Sequence, residues 1–99
     1  MRSKADMAAG FLRRLANANR LAILCELMDG ERSVGELVAA VHLSQSALSQ
    51  HLAKLRAAKL VTTRREAQTI YYALAHPGVT KILGVLYDLY CRPPQRRRA

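Results

Sequence analysis

Residues 44–60, SQSALSQHLAKLRAAKL, constrain the fold of this chain more than any other stretch. Ser44 can accept a hydrogen bond from a backbone amide of a first helical turn, and no residue after it breaks a helix. At about 100° per residue, one side of such a helix is mainly apolar and the other is polar or small. The packing side carries Leu48, His51, Leu52, Leu55 and Lys59. The stretch therefore predicts a helix with one packing side and one free side.

The free side of this helix has small and polar residues and no carboxylate. Its members are Ser46, Ser49, Gln50, Ala53 and Lys54. A solvated helix usually pairs Glu with Lys at i, i+4, so this composition is unusual. Short hydroxyls and amides allow close approach to base edges, where Gln can pair with adenine and Ser with several bases. The free side thus suits the major groove of DNA, and a solvated helix is the alternative interpretation.

The length and charge of the chain narrow the class of protein. Its 99 residues, of which 51% are hydrophobic, fit one domain with a single core. Sixteen Lys and Arg against seven Asp and Glu give a formal net charge of +9, which favours nucleic acid or an anionic membrane as partner. No apolar run reaches the roughly 18 residues that span a bilayer, and the N-terminus lacks a secretory pattern. We therefore expect a cytoplasmic protein with no membrane partner.

Two helices are predicted before this stretch. Residues 1–6 are polar and expected to be frayed, so the first helix is expected to start at Met7. A second helix over residues 20–29 ends at Gly30. Its cap is one of two residues, Asn17 or Asn19. Cys25 lies on the apolar stripe of this helix and is expected to point inward.

A capping box predicts a third helix directly before residues 44–60. Ser33 and Glu36 have the S-x-x-E spacing, in which Ser caps the first turn and Glu reaches back to it. The helix is expected to end near Ala40, and residues 41–43 then form a tight connection. Two short helices joined in this way predict a helix-turn-helix.

The residues after this motif predict a β-hairpin. Residues 60–65 and 69–74 are rich in β-branched and aromatic side chains, and three residues, 66–68, separate them. Arg64 and Arg65 form a basic shoulder, where a wing beside a helix-turn-helix can contact phosphates or the minor groove. A solvated charged turn is the alternative for these arginines.

A last helix is predicted from Pro77 to about Cys91, and it carries more apolar surface than one small domain covers. With the first helix it is expected to form a homodimer interface, which sets two groove-reading helices about 34 Å apart on a palindrome. Residues 92–99 are expected to be a flexible basic tail that adds nonspecific DNA affinity, with a solubilising tail as the alternative. The predicted DNA-binding and dimerisation domain thus covers residues 7–91.

This order of elements, with the strings ANANRLAILCEL, ERSVGELVAAVHLSQSALSQHLAKLRAAKLV and TRREAQTIYYAL, resembles the ArsR/SmtB family of winged-helix repressors over residues 16–91. The resemblance implies a mainly α-helical winged helix-turn-helix with a small β-hairpin. It also implies a homodimeric transcriptional regulator, not an enzyme. Such a regulator binds a palindromic operator in double-stranded DNA and releases it when an inducer binds or reacts.

The same resemblance assigns the site residues. The family's DNA contacts correspond here to Gln45, Ser46, Ser49, Gln50, Arg64, Arg65 and Gln68, and Lys54 joins them from the free side. Metal-sensing members place Cys-Val-Cys in the third helix, where residues 33–35 are Ser-Val-Gly. Zinc-sensing members use Asp and His pairs on the last helix, which here offers Asp88 and no His. We therefore predict no metal site and no cofactor.

Two cysteines indicate the subgroup. Cys25 within LAILCEL and Cys91 within VLYDLYC are similar to the dithiol sensors of the HlyU, BigR and SqrR group, and SQSALSQHLAKL and REAQTIYYAL are particularly similar to HlyU. In that group a persulfide or oxidant cross-links the two thiols. The resemblance implies that Cys25 and Cys91 sense redox state, with a small persulfide or oxidant as inducer. For Cys25 the alternative is a small core residue.

Three other functions stay open from the sequence. One is a winged-helix regulator that does not sense through thiols, whether it senses a metal or no ligand at all. Another is a nonspecific nucleic-acid-binding module. A thiol oxidoreductase is the third, although the chain has no C-x-x-C and no useful grouping of Ser, His and acid. The operator, the inducer, the cysteine that reacts first and the choice between repressor and anti-repressor are also left open.

Overall fold

The computed structural model describes residues 2–91, which form a winged helix-turn-helix. Its regular elements are α1 (Arg2–Leu15), α2 (Ala18–Glu26), β1 (Arg32–Ser33), α3 (Val34–Val41), α4 (Gln45–Ala57), β2 (Val61–Glu66), β3 (Thr69–Leu74) and α5 (Pro77–Leu86). The predicted fold class, mainly helical with a small hairpin, is confirmed. The basic tail predicted over residues 92–99 lies outside the described residues.

One apolar core joins the helices to the base of the wing. Its buried members are Leu15, Ile23, Leu24, Leu27, Leu37, Leu48, Leu52, Leu55, Leu60, Val61, Val79 and Leu83. The three leucines that α4 contributes are at most 1% exposed, which confirms its predicted packing side. Lys59, which the periodicity assigns to that side, is instead exposed, because it follows the end of α4 with a φ of 64°.

Side-chain caps set the starts of four helices, of which α2, α3 and α4 come first in the chain. Asn17 Oδ1 accepts hydrogen bonds from two backbone amides at 2.9 and 3.1 Å, so α2 begins at the next residue. Ser33 and Glu36 form the predicted capping box of α3, with bonds of 3.1 and 2.8 Å. Ser44 Oγ accepts from the Ala47 amide at 3.1 Å and caps α4, as the sequence predicts.

The first helix starts earlier than the sequence predicts. It begins at Arg2 rather than Met7, so residues 2–6, which were expected to be frayed, belong to α1. This stretch contains no Gly or Pro, and the Arg2 guanidinium lies 3.7 Å from the Asp6 carboxylate one turn away. The predicted start of the helix was therefore five residues too late (7 − 2 = 5), because a polar composition does not by itself prevent a helix.

The predicted second helix changes from an α-helix to a 3₁₀-helix before it ends. Its α-helical part stops at Glu26, and a 3₁₀ turn over Leu27–Asp29 continues it. Gly30, with a φ of 129°, then reverses the chain as predicted. Hydrophobic periodicity does not separate the two helix types over a single turn, so the predicted α-helical end was three residues too late.

The wing is a β-hairpin with a third strand beside it. β2 and β3 are antiparallel, with Glu66 opposite Thr69 and a two-residue turn between them. β1 pairs with the other edge of β3, so the strand order is β1-β3-β2. The sequence does not predict β1, because two residues carry no periodicity. This strand ties the chain before α3 to the wing.

The last helix starts as predicted and ends differently. Pro77 lies in its first turn, and His76 Nδ1 accepts from the Gly78 amide at 2.9 Å. The α-helix stops at Leu86, and Tyr87–Cys91 form a π-helical turn instead of further α-helix, a distinction that apolar spacing does not resolve. None of the helices within residues 2–91 has the length and apolar character needed to cross a membrane.

Candidate nucleic-acid interface and thiol pair

The free side of α4 is open to solvent. All five predicted contacts on it are exposed: Gln45, Ser46, Ser49, Gln50 and Lys54. The capping bond at the start of α4 uses only Ser44, and no side chain of the five bonds to another described residue. Their hydroxyl, amide and ammonium groups are therefore available to base edges and phosphates.

His42 makes the turn between α3 and α4. It has a left-handed backbone with φ 57° and ψ 40°, and its amide donates to the Val38 carbonyl at 3.2 Å. A left-handed residue at this position ends α3 and redirects the chain, and α4 begins three residues later. The sequence predicts the tight connection but does not show that a histidine takes this conformation.

The two wing arginines have different surroundings. Arg64 donates to both carboxylate oxygens of Glu31 at 2.8 and 2.9 Å and to Glu66 at 3.0 Å. Its guanidinium carbon also lies 4.6 Å from the centre of the Tyr71 ring. Arg65 instead donates to a turn carbonyl at 3.3 Å and has no carboxylate partner among residues 2–91.

This difference affects the charge that each arginine offers. The hydrogen bond from Arg64 lowers the pKa of the Glu31 carboxyl below its ordinary value of 4.5. Two carboxylates thus compensate the positive charge of Arg64, whereas no carboxylate among residues 2–91 compensates that of Arg65. Gln68, in the turn of the wing, is exposed as well. Sequence reasoning treated the arginines alike and missed Glu31, which is 33 positions from Arg64. No local signal in the sequence connects residues so far apart.

Cys25 and Cys91 are free thiols that interact electrostatically. Cys25 is half-buried on α2 and packs against the core, as its apolar position predicts, whereas Cys91 is exposed at the end of the π-helical turn. Burial raises the pKa of the Cys25 thiol, and the charges of Cys91 and Glu26 raise it further. The two thiols therefore lie within range of an electrostatic effect on each other, although they are far apart in the sequence.

Large apolar side chains are exposed on α1 and toward the end of the last helix. They are Met7, Leu12, Val85, Tyr87, Leu89 and Tyr90. Tyr90 is 80% exposed and Met7 73%. Groups of exposed apolar side chains on a small protein mark surfaces that a partner covers. They lie on the two helices from which the sequence predicts a homodimer interface.

Metal ligands do not gather in the part of the chain that the structure describes. There, no group of three or more His, Cys, Asp or Glu side chains is arranged to hold an ion. His51, on the packing side of α4, is half-buried, and its buried Nδ1 has no hydrogen-bond partner among the same residues. The lack of a metal site stays a prediction.

Comparison with known proteins decides the family. Residues 17–63 match the model of the bacterial regulatory proteins of the arsR family. Nodulation protein NolR of Rhizobium meliloti is 59% identical over 86 residues, which are 87% of this chain and 70% of that protein. The chain belongs to the ArsR family.

Further ArsR-family relatives support the predicted subgroup. The transcriptional activator HlyU of Vibrio cholerae is 50% identical over 95 residues, 96% of this chain and 88% of that protein. The solved structure of reduced HlyU from this species has a TM-score of 0.88 over 93% of this chain and 97% of the other. The transcriptional repressor BigR from Xylella fastidiosa has a TM-score of 0.86 at 35% identity, over 94% and 95%. HlyU is named as a transcriptional activator and BigR as a transcriptional repressor, and the two comparisons confirm the likeness of this chain to HlyU and BigR.

Proposed function

We propose that this ArsR-family regulator is a homodimer whose affinity for a palindromic operator is switched by a cross-link between Cys25 and Cys91. The observation that carries the proposal is the placement of two free thiols, the half-buried Cys25 on α2 and the exposed Cys91 at the end of the last helix, which are 66 positions apart in the sequence (91 − 25 = 66). The charge of Cys91 also raises the pKa of Cys25. One lies on α2, which packs against the DNA-reading motif, and the other ends the helix with the exposed apolar face. The name of one similar structure, reduced HlyU, also refers to a redox state of that protein.

DNA recognition is assigned to α4 and the wing. The proposed α4 contacts are Gln45, Ser46, Ser49, Gln50 and Lys54, all exposed on a side without carboxylates. On the wing, Arg65 and Gln68 contact DNA, since no carboxylate among residues 2–91 occupies either of them. Arg64, also predicted as a contact, has two carboxylate partners, so we assign it mainly to holding the wing in position. A regulator of this kind works where bacterial DNA lies, in the cytoplasm.

A homodimer brings two such surfaces to one operator. The exposed apolar side chains of α1 and the last helix form the proposed interface. A two-fold axis between copies sets the two α4 helices on successive major grooves, about 34 Å apart along the duplex. A cross-link that shifts the last helix changes this spacing, and the dimer then loses one half-site.

The chemistry of the switch follows from the exposure of the two thiols. The exposed Cys91 thiolate attacks the outer sulfur of a small persulfide, RSSH. The bond between the two sulfurs of the persulfide breaks, so that Cys91 carries the outer sulfur as its own persulfide and RS⁻ leaves as a thiolate. Cys25 then loses its proton to water and attacks Sγ of Cys91, which forms the disulfide and releases hydrosulfide. Because the pKa of Cys25 is raised, few of its thiols are ionised at neutral pH, so we infer that this second step is the slower one.

Two serine variants test the thiol switch. A duplex selected from random sequences by the reduced wild-type protein serves as the DNA probe. Cys25→Ser and Cys91→Ser proteins are expected to bind this duplex within about 3-fold of wild type, because neither thiol lies on the free side of α4. Glutathione persulfide should release DNA from the wild-type protein alone, and dithiothreitol should restore binding.

Mass spectrometry of the same samples identifies the product. The wild-type protein should lose two hydrogens on treatment, as expected for one disulfide, and both variants should stop at the persulfide or remain unmodified. Release of DNA by a serine variant would contradict the dithiol switch. Wild-type protein that keeps its DNA after cross-linking would instead indicate a regulator without thiol sensing.

A further inference from the structure

A basic groove lies beside α4 and is bounded by three helices. Its volume is about 560 Å³. The C-terminal half of α1, the start of α2 and the C-terminal half of α4 contribute four cations to its lining: Arg13, Arg14, Arg20 and Lys54. Among the described residues, no carboxylate lines it. We call this surface the basic groove, and its charge suits an anionic ligand.

Arg13 and Arg14 direct their charges to the same point. One terminal nitrogen of each guanidinium lies 3.8 Å from the position that a Cβ would occupy at Gly10. Neither arginine has a carboxylate partner among residues 2–91. Two like charges that share a small space repel each other, and an anion between them removes this repulsion.

Arg20 adds an unsatisfied donor to the groove. Its Nε is buried and has no hydrogen-bond partner among the residues that the structure describes. Buried donors are usually paired, and the planar fork of a guanidinium matches the oxygens of a phosphate. Arg20 is half-buried, lines the groove and has no carboxylate partner among residues 2–91, so it adds a further positive charge to this surface.

Lys54 connects the basic groove to the DNA-reading side of α4. It follows Gln50 by four residues, so the two side chains are neighbours on the helix surface. The other flank of α4, toward the wing, has a groove of about 510 Å³ that contains Arg56 and Lys59. Cations thus border α4 on both sides, as the two phosphate backbones border a helix in the major groove.

We propose that the basic groove binds backbone phosphates of the duplex that α4 reads. This inference rests on the proposed function, because it takes α4 as the DNA-reading helix. Arg13, Arg14 and Arg20 then extend the DNA contact from α4 to α1 and α2. The contact is independent of base sequence, so it strengthens binding to any duplex and makes it more sensitive to salt.

The test compares two variants of equal charge. Arg13→Gln/Arg14→Gln removes two cations from the groove, and Lys4→Gln/Lys81→Gln removes two exposed cations elsewhere. Affinity for a mixed-sequence duplex of about 30 base pairs is measured by fluorescence anisotropy between roughly 50 and 200 mM KCl. The slope of log affinity against log salt should fall by about 0.9 for each phosphate that the groove variant no longer neutralises. It should stay at the wild-type value in the control variant.

Three outcomes would overturn the inference, and they are distinguishable. Equal slopes for the two variants would show that only net charge matters. Binding of inorganic pyrophosphate by wild type but not by the groove variant, with equal duplex slopes, would assign the groove to a free anion. A wild-type protein that binds no duplex would overturn the proposed function and this inference with it. Thermal melting confirms that both variants are folded, since all four substituted residues are exposed.

Discussion

Glu31 and Arg64 form an ion pair that joins the start of the helix-turn-helix to the wing. Glu31 precedes β1 and Arg64 lies in the middle of β2, and two hydrogen bonds of 2.8 and 2.9 Å connect them. The exposed pair adds little stability, but its two-pronged geometry restricts the orientation of the strands. The wing therefore has a preferred position before any DNA arrives.

Replacing Glu31 with Gln is expected to lower the melting temperature at neutral pH but not in acid. Since the pKa of Glu31 is lowered in the folded protein, its contribution is present above the ordinary value of 4.5 and is lost as the pH falls through the lowered pKa. The melting temperatures of wild type and Glu31→Gln should therefore differ at pH 7 and converge as the pH falls through the lowered pKa of Glu31. A difference that persists unchanged after the pH has fallen through the lowered pKa would exclude this role of the carboxylate.

Helix α4 combines a capped start, a packing side and a free side, and neighbouring serines serve different purposes. Ser44 caps the helix with a bond of 3.1 Å, whereas Ser46 is exposed without a hydrogen-bond partner among residues 2–91. Ser44 therefore contributes to the stability of α4, and the Ser46 hydroxyl is available to contact DNA.

Alanine substitutions should separate these two roles. Ser44→Ala is expected to lower the free energy of unfolding by about 1 kcal/mol, because an amide of the first turn loses its acceptor. Ser46→Ala should change it by less than about 0.5 kcal/mol and weaken binding to the selected duplex. Urea unfolding and fluorescence anisotropy measure the two effects. Equal losses of stability in the two variants would show that the cap is not specific to Ser44.

The elements differ in how far the sequence predicts them. The caps at Ser33 and Ser44 and the two sides of α4 depend on residues within a turn or two, so local patterns suffice. β1 exists only because the edge of β3 pairs with it. The partners of Arg64 likewise depend on the folded arrangement of distant segments. The free side of α4 and the wing arginines also follow from local patterns, whereas Gln45, Gln68 and the sensing role of the two cysteines came from the family resemblance. The burial and charge balance of all these residues needed the structure.

Within residues 2–91, large apolar side chains are left exposed on α1 and on the last helix. Leu89 and Tyr90 are 66% and 80% exposed at the end of the last helix, close in sequence to Cys91. The same segment thus carries a proposed dimer contact and a proposed sensing thiol. Oxidation and association are therefore expected to be coupled through these few residues.

Introducing charge into this surface should separate the two copies. Leu89→Glu/Tyr90→Glu is expected to yield a folded monomer, because carboxylates at a dimer contact are desolvated without partners. Light scattering after size exclusion measures the mass, and affinity for the selected duplex should fall because a monomer reaches only one half-site. Thr80→Glu/Lys81→Glu, at exposed positions earlier on α5, should remain dimeric. A dimeric Leu89→Glu/Tyr90→Glu protein would place the interface elsewhere.

His42, Lys59 and Ala67 are the residues other than glycine within residues 2–91 that have left-handed backbones, with φ of 57°, 64° and 56°. They precede α4, follow α4 and lie at the tip of the wing. A side chain with a β-carbon makes this conformation unfavourable by about 1–2 kcal/mol, and it also narrows the range of angles that the chain can adopt there. Glycine at these three positions would allow a wider range of backbone angles, so that α4 and the wing could change their orientation more easily. The side chains present therefore help to fix the orientation of α4 and the wing relative to DNA, and they do so at the expense of some local stability.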